Sequence, residues 1–576
     1  MKLRVAGGGV VELSRAEFVA RGGEGSVYAK AGRAYKVYED PALVLPAGKL
    51  RELDAIEDPF VIKPERWLRQ IGSGRAIGYD MRYVADAILW CQLVPRSARE
   101  RRGLSPSRAF ALVRSLQQRV ANIHRAAVTC VDLSELNLLV SSSLDQVYCI
   151  DVDSYQTTHY PATAIAESVR DPLAGSGPFD ARSDWFSFAV VSFLLLIGIH
   201  PYKGSHPRVR GLAARMAQQL SVFDPAVQIP NLCYPLDVIP AGYRRWYRAV
   251  LQEGKRLPPP DDPGGTVVLS PRQRPRSGSR IELLELASFE GTVLQVMAQG
   301  DHRVVLTDQG VWVGGRKAHG PVAGPVAVGF TRRTLRPVLV TLQPKPEVLD
   351  LSTGLRLELA LQAEEAMAYD GRIYLRSGPR IVELDLTEIG AGIIASVHHV
   401  ADVLPHATRL YDGVGIQSLL GSAYALVFPA AGACSAARLA ELDHGQVIDA
   451  KFDRGVLMAL RERGGRTDRL VYRFGPDYRG YDLRIVEDVS ATALSFTTLD
   501  SGVCVCRTEQ GAFELSSSRR GSTAFESLTA GVPTGPITLS RHDGWVIGHW
   551  EDRLARLRMR DHESGPASRA ARTSPC

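Results

Sequence analysis

The feature that most constrains the fold is a break in composition, "LPPPDDPGGTVVLSPRQRPRSGSR", at residues 257–280. This stretch is rich in Pro, Gly, Ser and Arg, and it has too little apolar surface to order itself. The patterns before and after it differ, and a chain of 576 residues is too long for a single core. We therefore predict two separate regions joined by a basic linker over residues 261–280.

Before the break, strand patterns give way to helix patterns. Up to about Tyr83, alternating runs such as "SVYAK" and "RAYKVY" predict strands, with one helix candidate, "AGKLRELDAI". From about Leu104 apolar residues recur at helical spacing, Ser105 or Ser107 can serve as an N-cap, and helical character continues to Arg256. The apolar run "WFSFAVVSFLLLIGI" is too short to span a bilayer and predicts a buried core helix. We expect one unit over residues 1–85 and a helical one over 86–260.

After the break the chain consists of paired short strands. Units such as "HRVVLTDQGVWVGG" and "GRIYLRSGPRIVELDL" recur about every 35 to 50 residues. Four strands per unit, repeated at this spacing, are typical of a β-propeller, here with about seven blades over residues 281–560. A pair of β-sandwiches is the alternative. Residues 561–576 are predicted to be a disordered tail.

Charge and cysteine content restrict partners and location. The net charge of +7 is spread along the chain, and no aromatic residues are interleaved with the basic cluster in the linker, so we expect no nucleic-acid partner. Eight scattered cysteines indicate reduced thiols rather than a disulfide framework. The first residues lack the apolar core of a signal peptide. We therefore expect a cytoplasmic protein without a membrane partner.

Two segments of the first region carry residues suited to phosphate. "ARGGEGSVY" brings Gly22, Gly23 and Gly25 into one turn, where backbone N–H groups can approach phosphates without hindrance from Cβ atoms. Lys36 follows in "RAYKVY". The candidate helix offers Glu52 as its partner, and Asp54 and Glu57 are the alternatives. We predict that a Lys36–Glu52 ion pair holds the lysine on the α and β phosphates of a nucleotide.

Two further segments carry residues suited to a metal ion and a proton transfer. In "VDLSELNLLV" Asp132 precedes Asn137 by five residues, and "VYCIDVDS" carries Asp151 and Asp153. A strand, a turn and a returning strand would place Asp151 beside Asn137, which gives two oxygen ligands for Mg²⁺. Asp153 could bind the metal as well, brace the loop, or replace Asp151. Asp132 would then face the acceptor.

The order and spacing of these residues resemble those of the protein kinase family, and within it the divergent bacterial eukaryotic-like protein kinases. The resemblance covers about Phe18 to Arg256. The catalytic-loop pattern H-R-D-L-x-x-x-N matches at Asp132, Leu133 and Asn137, and the D-F-G pattern matches at Asp151. "SDWFSFAVVSFLLLIGIHPYKG" is similar to the kinase segment that begins at a buried aspartate.

The resemblance implies a fold class, cofactors and roles. The fold class is an α+β protein-kinase-like two-lobed domain followed by an all-β, propeller-like domain. ATP and Mg²⁺ are the implied cofactors, and Asp132 is the implied proton acceptor. Asp184 is expected to brace the catalytic loop through backbone N–H groups, and Arg256 to pair with Glu167 or Asp171. The residues implied to contact the nucleotide are Gly22, Gly23, Gly25, Val27 and Lys36, and those implied to contact the metal are Asn137, Asp151 and Asp153.

Several positions depart from the kinase pattern. Ala20 replaces the first glycine of the loop, and Val152 and Asp153 replace Phe and Gly after the metal aspartate. Cys130 and Val131 stand where His and Arg usually precede Asp132, so activity should not depend on phosphorylation of an activation loop. Ser134 occupies the place of a lysine that contacts the transferred phosphate.

The function predicted from these patterns is an ATP-dependent, Ser/Thr-directed protein kinase whose C-terminal β domain recruits a substrate or partner protein. The alternatives are a pseudokinase scaffold that binds nucleotide and partners, and a small-molecule phosphotransferase. The resemblance also suggests phosphatase-like and metal-binding partner proteins of stress-response clusters. Self-phosphorylation of the linker at Ser270, Ser277 or Ser279 is a further hypothesis.

Overall fold

The computed structural model describes residues 1–175, 179–262, 281–322, 324–490, 493–509, 511–517, 521–525 and 537–559. Most of the predicted linker, with Ser270, Ser277 and Ser279, lies outside the described residues. The predicted tail at 561–576 lies outside them as well.

The N-terminal region is a seven-stranded antiparallel sheet in the order β2-β1-β6-β7-β5-β4-β3. Its strands alternate buried and exposed side chains, and Leu3, Phe18 and Leu68 are among the buried ones. One helix, α1, follows β5. The elements are β1 (Lys2–Val5), β2 (Val10–Glu12), β3 (Phe18–Arg21), β4 (Gly25–Lys30), β5 (Arg33–Tyr38), α1 (Ala47–Leu53), β6 (Arg66–Gln70) and β7 (Ala76–Arg82).

Five helices and a small sheet follow, around a core built on α3 and α4. Ser105 caps α3 through its hydroxyl, which accepts a hydrogen bond from the Arg108 N–H, and Asp180 caps α4. Most residues of α4 are buried, which confirms the predicted core helix. The elements are β8 (Ile88–Leu89), α2 (Arg96–Arg101), α3 (Pro106–Arg125), β9 (Leu138–Val140), β10 (Val147–Cys149), α4 (Ala181–Ile197), α5 (Leu212–Ala217) and α6 (Ala241–Leu251).

The predicted fold class, an α+β kinase-like two-lobed domain followed by a propeller-like domain, is wrong. Only 17% of the residues are helical and 40% are in strands, and the described ranges contain six helices. The N-terminal region is a mostly-β half-barrel, and many small sheets follow, without a helical kinase C-lobe. The physical reason lies in the segments between α3 and α4 and between α4 and α6. Between α4 and α6, closely spaced prolines and glycines interrupt helical hydrogen bonding. Between α3 and α4, the β9–β10 hairpin and loops stand in place of the predicted helical character.

In the part of the C-terminal half that the structure describes, the strands form seven four-stranded antiparallel sheets. Register is fixed by tight turns such as Asp370–Gly371, which joins two strands directly. The first two sheets along the chain contain β12 (Val293–Gln299), β13 (His302–Thr307), β14 (Gly310–Val313), β15 (Arg316–His319), β16 (Val326–Phe330), β17 (Pro337–Thr341), β18 (Glu347–Asp350) and β19 (Arg356–Glu358). The next two contain β20 (Glu365–Tyr369), β21 (Arg372–Ser377), β22 (Arg380–Ile389), β23 (Gly392–Asp402), β24 (Thr408–Leu410), β25 (Gly415–Leu419), β26 (Ser422–Val427) and β27 (Ser435–Arg438).

The remaining sheets close the series into a ring. Strand β11 (Ile281–Ser288), the first of this half, pairs with β38 (Arg553–Met559), the last. Strand β12 contacts both β16 and β36 (Thr538–His542), and β32 (Phe496–Thr498) also contacts β36. The other strands are β28 (Gln446–Asp453), β29 (Val456–Arg463), β30 (Arg466–Phe474), β31 (Tyr481–Val486), β33 (Cys504–Arg507), β34 (Phe513–Ser517), β35 (Gly521–Phe525) and β37 (Trp545–Trp550).

The ring contacts the first half of the chain through buried polar groups. Asp449 on β28 is fully buried, pairs with Arg101 at the end of α2, and accepts a hydrogen bond from the Ser97 hydroxyl at 2.7 Å. The Nε2 of Gln92 donates to the Val447 carbonyl at 3.3 Å. Buried charge pairs of this kind fix the relative position of the elements that carry them.

Among the described helices, none is both long enough and apolar enough to cross a bilayer.

Candidate functional site

Lys36 lies at the centre of a cluster of charged side chains. It sits on β5 between β4 and β7, and it is only 5% exposed. Its ammonium Nζ lies 2.6 Å from Asp151 Oδ1, 2.7 Å from Asp153 Oδ2 and 3.4 Å from Glu24 Oε2. Burial opposes the charged form of Lys36, but the carboxylates outweigh it and raise its pKa. The lysine is therefore a cation held by Glu24 from the neighbouring hairpin and by two aspartates that lie more than a hundred residues away along the chain.

Asp151 is the more open of the two aspartates. Its backbone adopts the left-handed conformation, with φ of 58°, which Asp tolerates better than most residues. Its side chain is 37% exposed. Loss of solvent around its carboxyl group and the negative charge of Asp153 raise the pKa of Asp151, and the positive charge of Lys36 opposes the rise. A carboxylate that is partly exposed and crowded by a second negative charge has the character of a cation ligand.

Asp153, two residues on, is enclosed. Its Oδ2 accepts hydrogen bonds from Lys36 Nζ at 2.7 Å and from the Tyr38 hydroxyl at 2.5 Å. Its Oδ1 accepts one from the Tyr79 hydroxyl at 2.7 Å, and the side chain is 2% exposed. Burial opposes its ionised form, but Lys36 and the two phenols hold its pKa below the ordinary value. The predicted metal ligand Asp153 thus lies behind Lys36, with both oxygens occupied.

The hairpin of β9 and β10 brings Asn137 beside Asp151, as the sequence predicts. Leu138 is paired with Cys149, and the Ile150 N–H donates to the Asn137 carbonyl at 3.0 Å. The amide Nδ2 of Asn137 donates to Asp132 Oδ2 at 2.8 Å and to the Asp132 carbonyl at 3.1 Å. Because the amide nitrogen faces Asp132, the amide oxygen Oδ1 is left as the acceptor of this side chain.

Asp132 is buried and held by two donors. Besides Asn137, the Ala166 N–H donates to its Oδ1 at 2.7 Å. Burial raises the pKa of Asp132, and the two hydrogen bonds limit the rise. A fixed carboxylate with a raised pKa accepts a proton more readily than an exposed aspartate does, which suits a general base.

Asp184 braces the loop that carries Asp132, as predicted. Its carboxylate accepts the backbone N–H groups of Cys130 at 2.7 Å and Val131 at 2.8 Å, and contacts His124 Nε2 at 2.8 Å. Val131 has a φ of 61°, which is unusual for a β-branched residue. Asp184 therefore stabilises a strained turn directly before Asp132.

The glycine-rich turn closes the β3–β4 hairpin near the cluster. The Gly22 N–H donates to the Gly25 carbonyl at 2.9 Å. A Cβ atom at Gly25 would lie 2.3 Å from the Val37 carbonyl oxygen, so only glycine fits there. Gly22 and Gly23 are exposed, and Val27 is paired with Lys36 across the two strands. Glu24 in this turn reaches Lys36, a contact that sequence reasoning missed.

The predicted Lys36–Glu52 ion pair is not formed. Glu52 Oε1 lies 2.7 Å from His159 Nδ1, and Glu52 Oε2 accepts the His159 N–H at 3.2 Å. The buried polar residue of α1 is Lys49, which lies one turn before buried Leu53 and is 1% exposed. Because Lys49 and Leu53 occupy the inward face, Glu52 is left at the edge of the helix. Of the alternatives, Asp54 pairs with Lys63 at 2.9 Å, and Glu57 is exposed.

Arg256 pairs with Asp171, one of its two predicted partners. The Nε and Nη2 atoms of Arg256 lie 2.6 and 2.5 Å from the Asp171 carboxylate oxygens in a bidentate pair. Glu167, the other candidate, pairs with Arg170 at 3.2 Å.

The donors of the cluster fit a metal ion that is shared with a ligand. Within the described ranges, no group of three or more His, Cys, Asp or Glu side chains is arranged to hold a metal on its own. Asp151 and the Asn137 amide oxygen supply two hard oxygen donors, which is the number that proteins commonly give Mg²⁺ when phosphate oxygens complete its shell. These two side chains are the ones that could hold Mg²⁺ together with a phosphate ligand.

A comparison of the sequence with protein-family models gives no match, and a search of curated proteins gives none either.

Proposed function

We propose that the chain is an ATP-dependent, Mg²⁺-requiring phosphotransferase that acts on protein hydroxyl groups, as a Ser/Thr protein kinase does. The observation that carries the proposal is the convergence of three segments: Lys36 from β5, Asp132 and Asn137 from the loop before β9, and Asp151 from the turn after β10. A lysine, an amide and two aspartates in one cluster are the groups that phosphoryl transfer requires.

In this proposal each group has one task. Lys36 holds the α and β phosphates, and the exposed Gly23 lies on the turn beside it. Asn137 and Asp151 hold Mg²⁺, which when bound neutralises charge on the phosphate oxygens. Asp132 orients the acceptor hydroxyl and takes its proton. Positioning and charge neutralisation supply most of the rate, because the transition state is loose.

Two further contacts support the resemblance to bacterial eukaryotic-like kinases. The Asp184 carboxylate braces the turn before Asp132, and the Arg256–Asp171 pair is bidentate. Both pairings join positions that the resemblance identifies from sequence motifs alone. They support the resemblance at the level of individual contacts, while the overall fold class differs.

A nucleotide-binding scaffold without chemistry is the second candidate. Ser134 stands where a kinase has the lysine that contacts the transferred phosphate, and it is buried. Lys36 would then contact the phosphates without the second lysine that a kinase has, and transfer would be slow or absent. Binding of nucleotide would remain.

Phosphate transfer from γ-labelled ATP separates the two candidates. Wild type, Asp132→Asn and Asp151→Asn are incubated with Mg-ATP and a generic protein acceptor, and incorporated label is counted. Asp145→Asn is the matched control, because Asp145 lies in the β9–β10 turn at the opposite end of the hairpin. We expect transfer by wild type and by the control and loss in both other variants. Nucleotide-induced thermal stabilisation of wild type without any transfer supports the scaffold instead.

The ring of sheets is proposed to recruit the protein substrate or partner. The β22–β23 hairpin, the longest in the ring, carries exposed Ile389, Ile394 and Val397. Exposed apolar side chains grouped on one element favour a protein-contact surface. The resemblance adds phosphatase-like and metal-binding proteins as partner candidates. The seven described cysteines are free thiols, which supports a reducing, cytoplasmic location.

A further inference from the structure

We propose that Asp153 is the positioning residue for Lys36, in the role that the sequence assigns to Glu52. This inference rests on the proposed function, because it concerns how the phosphate-binding lysine is held. It also reassigns Asp153, which the sequence presents as a possible metal ligand.

The geometry of one sheet face carries the inference. Lys36 and Tyr38 are two residues apart on β5, so their side chains point to the same face. Tyr79 on β7 is directly paired with Lys36 across the strands. The ammonium and both hydroxyl groups therefore converge from one patch of sheet, and Asp153 accepts a hydrogen bond from each of the three. The edge-on contact of the Tyr38 and Tyr79 rings, 6.1 Å between centroids, holds the two phenols in place.

The charge of α1 supports the same conclusion. A buried ammonium needs a carboxylate partner, and in a kinase-like site a helix glutamate supplies it. Here the inward residue of α1 is itself a cation, Lys49, whose Nζ lies 3.5 Å from the Pro161 carbonyl. Glu52 is engaged by His159. The counter-ion of Lys36 must therefore come from another element, and the turn that contains Asp153 provides it.

Of the three carboxylates around Lys36, Asp153 is the one suited to a permanent role. Glu24 lies farther away, at 3.4 Å, in the glycine-rich turn. Asp151 is partly exposed and is the proposed metal ligand, so its contact with Lys36 competes with metal binding. Asp153 is buried between Val152 and Ser154, which are buried as well. When Mg²⁺ takes Asp151, Asp153 keeps Lys36 in position.

The experiment compares Asp153→Asn with Glu52→Gln in nucleotide binding, measured by calorimetric titration of the full chain with ATP, once with Mg²⁺ and once with EDTA. Loss of one charge-assisted contact to Lys36 should weaken ATP binding by Asp153→Asn roughly 10- to 100-fold, both with and without the metal. Glu52→Gln should bind within about 2-fold of wild type, as expected for an exposed charge. Tyr79→Phe, which keeps both charges, should give an intermediate loss.

Three results would overturn the inference. Asp153→Asn that binds ATP as wild type does removes the positioning role. A loss seen only with Mg²⁺ makes Asp153 a metal ligand, and a larger loss in Glu52→Gln restores the helix glutamate. If Asp153→Asn does not fold, Tyr79→Phe decides: unchanged binding contradicts the inference.

A readout without nucleotide keeps this test separate from the proposed function. Amine acylation of Lys36, followed by mass spectrometry, reports how tightly its ammonium is held. We expect at least about 10-fold faster labelling in Asp153→Asn than in wild type, since loss of a paired carboxylate favours the neutral amine. Faster labelling in a chain that binds no ATP supports the positioning role and refutes the function. Equal labelling overturns the inference.

Discussion

The side-chain amide of Asn137 donates to Asp132 at 2.8 Å, so the proposed metal ligand and the proposed general base are directly connected. The Asn137 amide thereby serves both groups. Its nitrogen orients the Asp132 carboxylate, and its oxygen remains available to bind Mg²⁺.

Removing that amide should change the pH dependence of transfer. Burial raises the pKa of Asp132, and the hydrogen bonds from the Ala166 N–H and the Asn137 amide limit the rise. In Asn137→Ala the pKa should rise further, and a base must be deprotonated to act. The acid limb of kcat/KM should therefore move to higher pH, and kcat should fall by roughly 10²- to 10⁴-fold. Rate profiles from pH 5 to 9 provide the measurement, and an unshifted acid limb would show that the amide does not act on Asp132.

Removal of the Asp184 carboxylate, which braces the loop that carries Asp132, should lower the stability of the protein. Asp184→Ala leaves the buried N–H groups of Cys130 and Val131 without their acceptor, in a turn where Val131 is already strained. We expect the free energy of unfolding to fall by about 2–5 kcal/mol. Urea denaturation checks this value, with exposed Glu167→Ala as the control. A decrease in the free energy of unfolding as small as that of the control would mean that the turn keeps its conformation without Asp184.

Glu135 should make stability depend on pH. Burial, with a contribution from the nearby charge of Glu462, raises the pKa of Glu135 to about 7. Between the ordinary glutamate pKa of about 4.3 and this value, the folded chain binds a proton that the unfolded chain has released. This contribution to stability is therefore present at low pH and is lost as pH rises toward 7.

The substitution Glu135→Gln should remove that pH dependence. We expect a higher melting temperature than wild type at pH 8 and little difference at pH 5, measured by thermal unfolding in matched buffers. An equal increase in melting temperature at both pH values would contradict the assignment of this pH dependence to Glu135.

The contact between the ring and the first half should depend on Asp449. Because Asp449→Ala leaves the half-buried Arg101 without its carboxylate and the buried Ser97 without its acceptor, we expect the free energy of unfolding to fall by about 3–5 kcal/mol. The exposed pair of Arg466 and Glu487 gives the comparison, with about 0–1 kcal/mol expected for Glu487→Ala. Denaturation curves of the two variants should differ accordingly, and similar curves would argue that the two halves do not stabilise each other through this pair.

The parts of the site that sequence reasoning predicted are local. Asn137 and Asp151 flank one hairpin, so spacing alone brings them together. The sequence offered Glu52, Asp54 or Glu57 as the partner of Lys36, but which residues of α1 face inward depends on how the helix is rotated against the sheet, and its own sequence does not fix that rotation. Tyr79 and Asp153 are 74 residues apart, and no pattern in either segment points to the other.

The fold class shows the same limit on a larger scale. Apolar spacing predicted α3 and α4 correctly, and the strand pair around Asn137 and Asp151 was predicted as well, but helical character was extended across segments that form loops. Apolar residues buried by loops produce the same composition as a helix face, so periodicity alone overestimates helix.

Titration of the chain with Mg²⁺ and a non-hydrolysable ATP analogue tests the central claim most directly, namely that residues from three segments form one nucleotide-binding site. We expect one binding site per chain, with affinity lowered at least about 10-fold in each of Lys36→Met, Asn137→Ala and Asp151→Asn, and retained in Asp145→Asn. Wild-type affinity in all three variants, or no binding by the wild-type chain, would contradict the account.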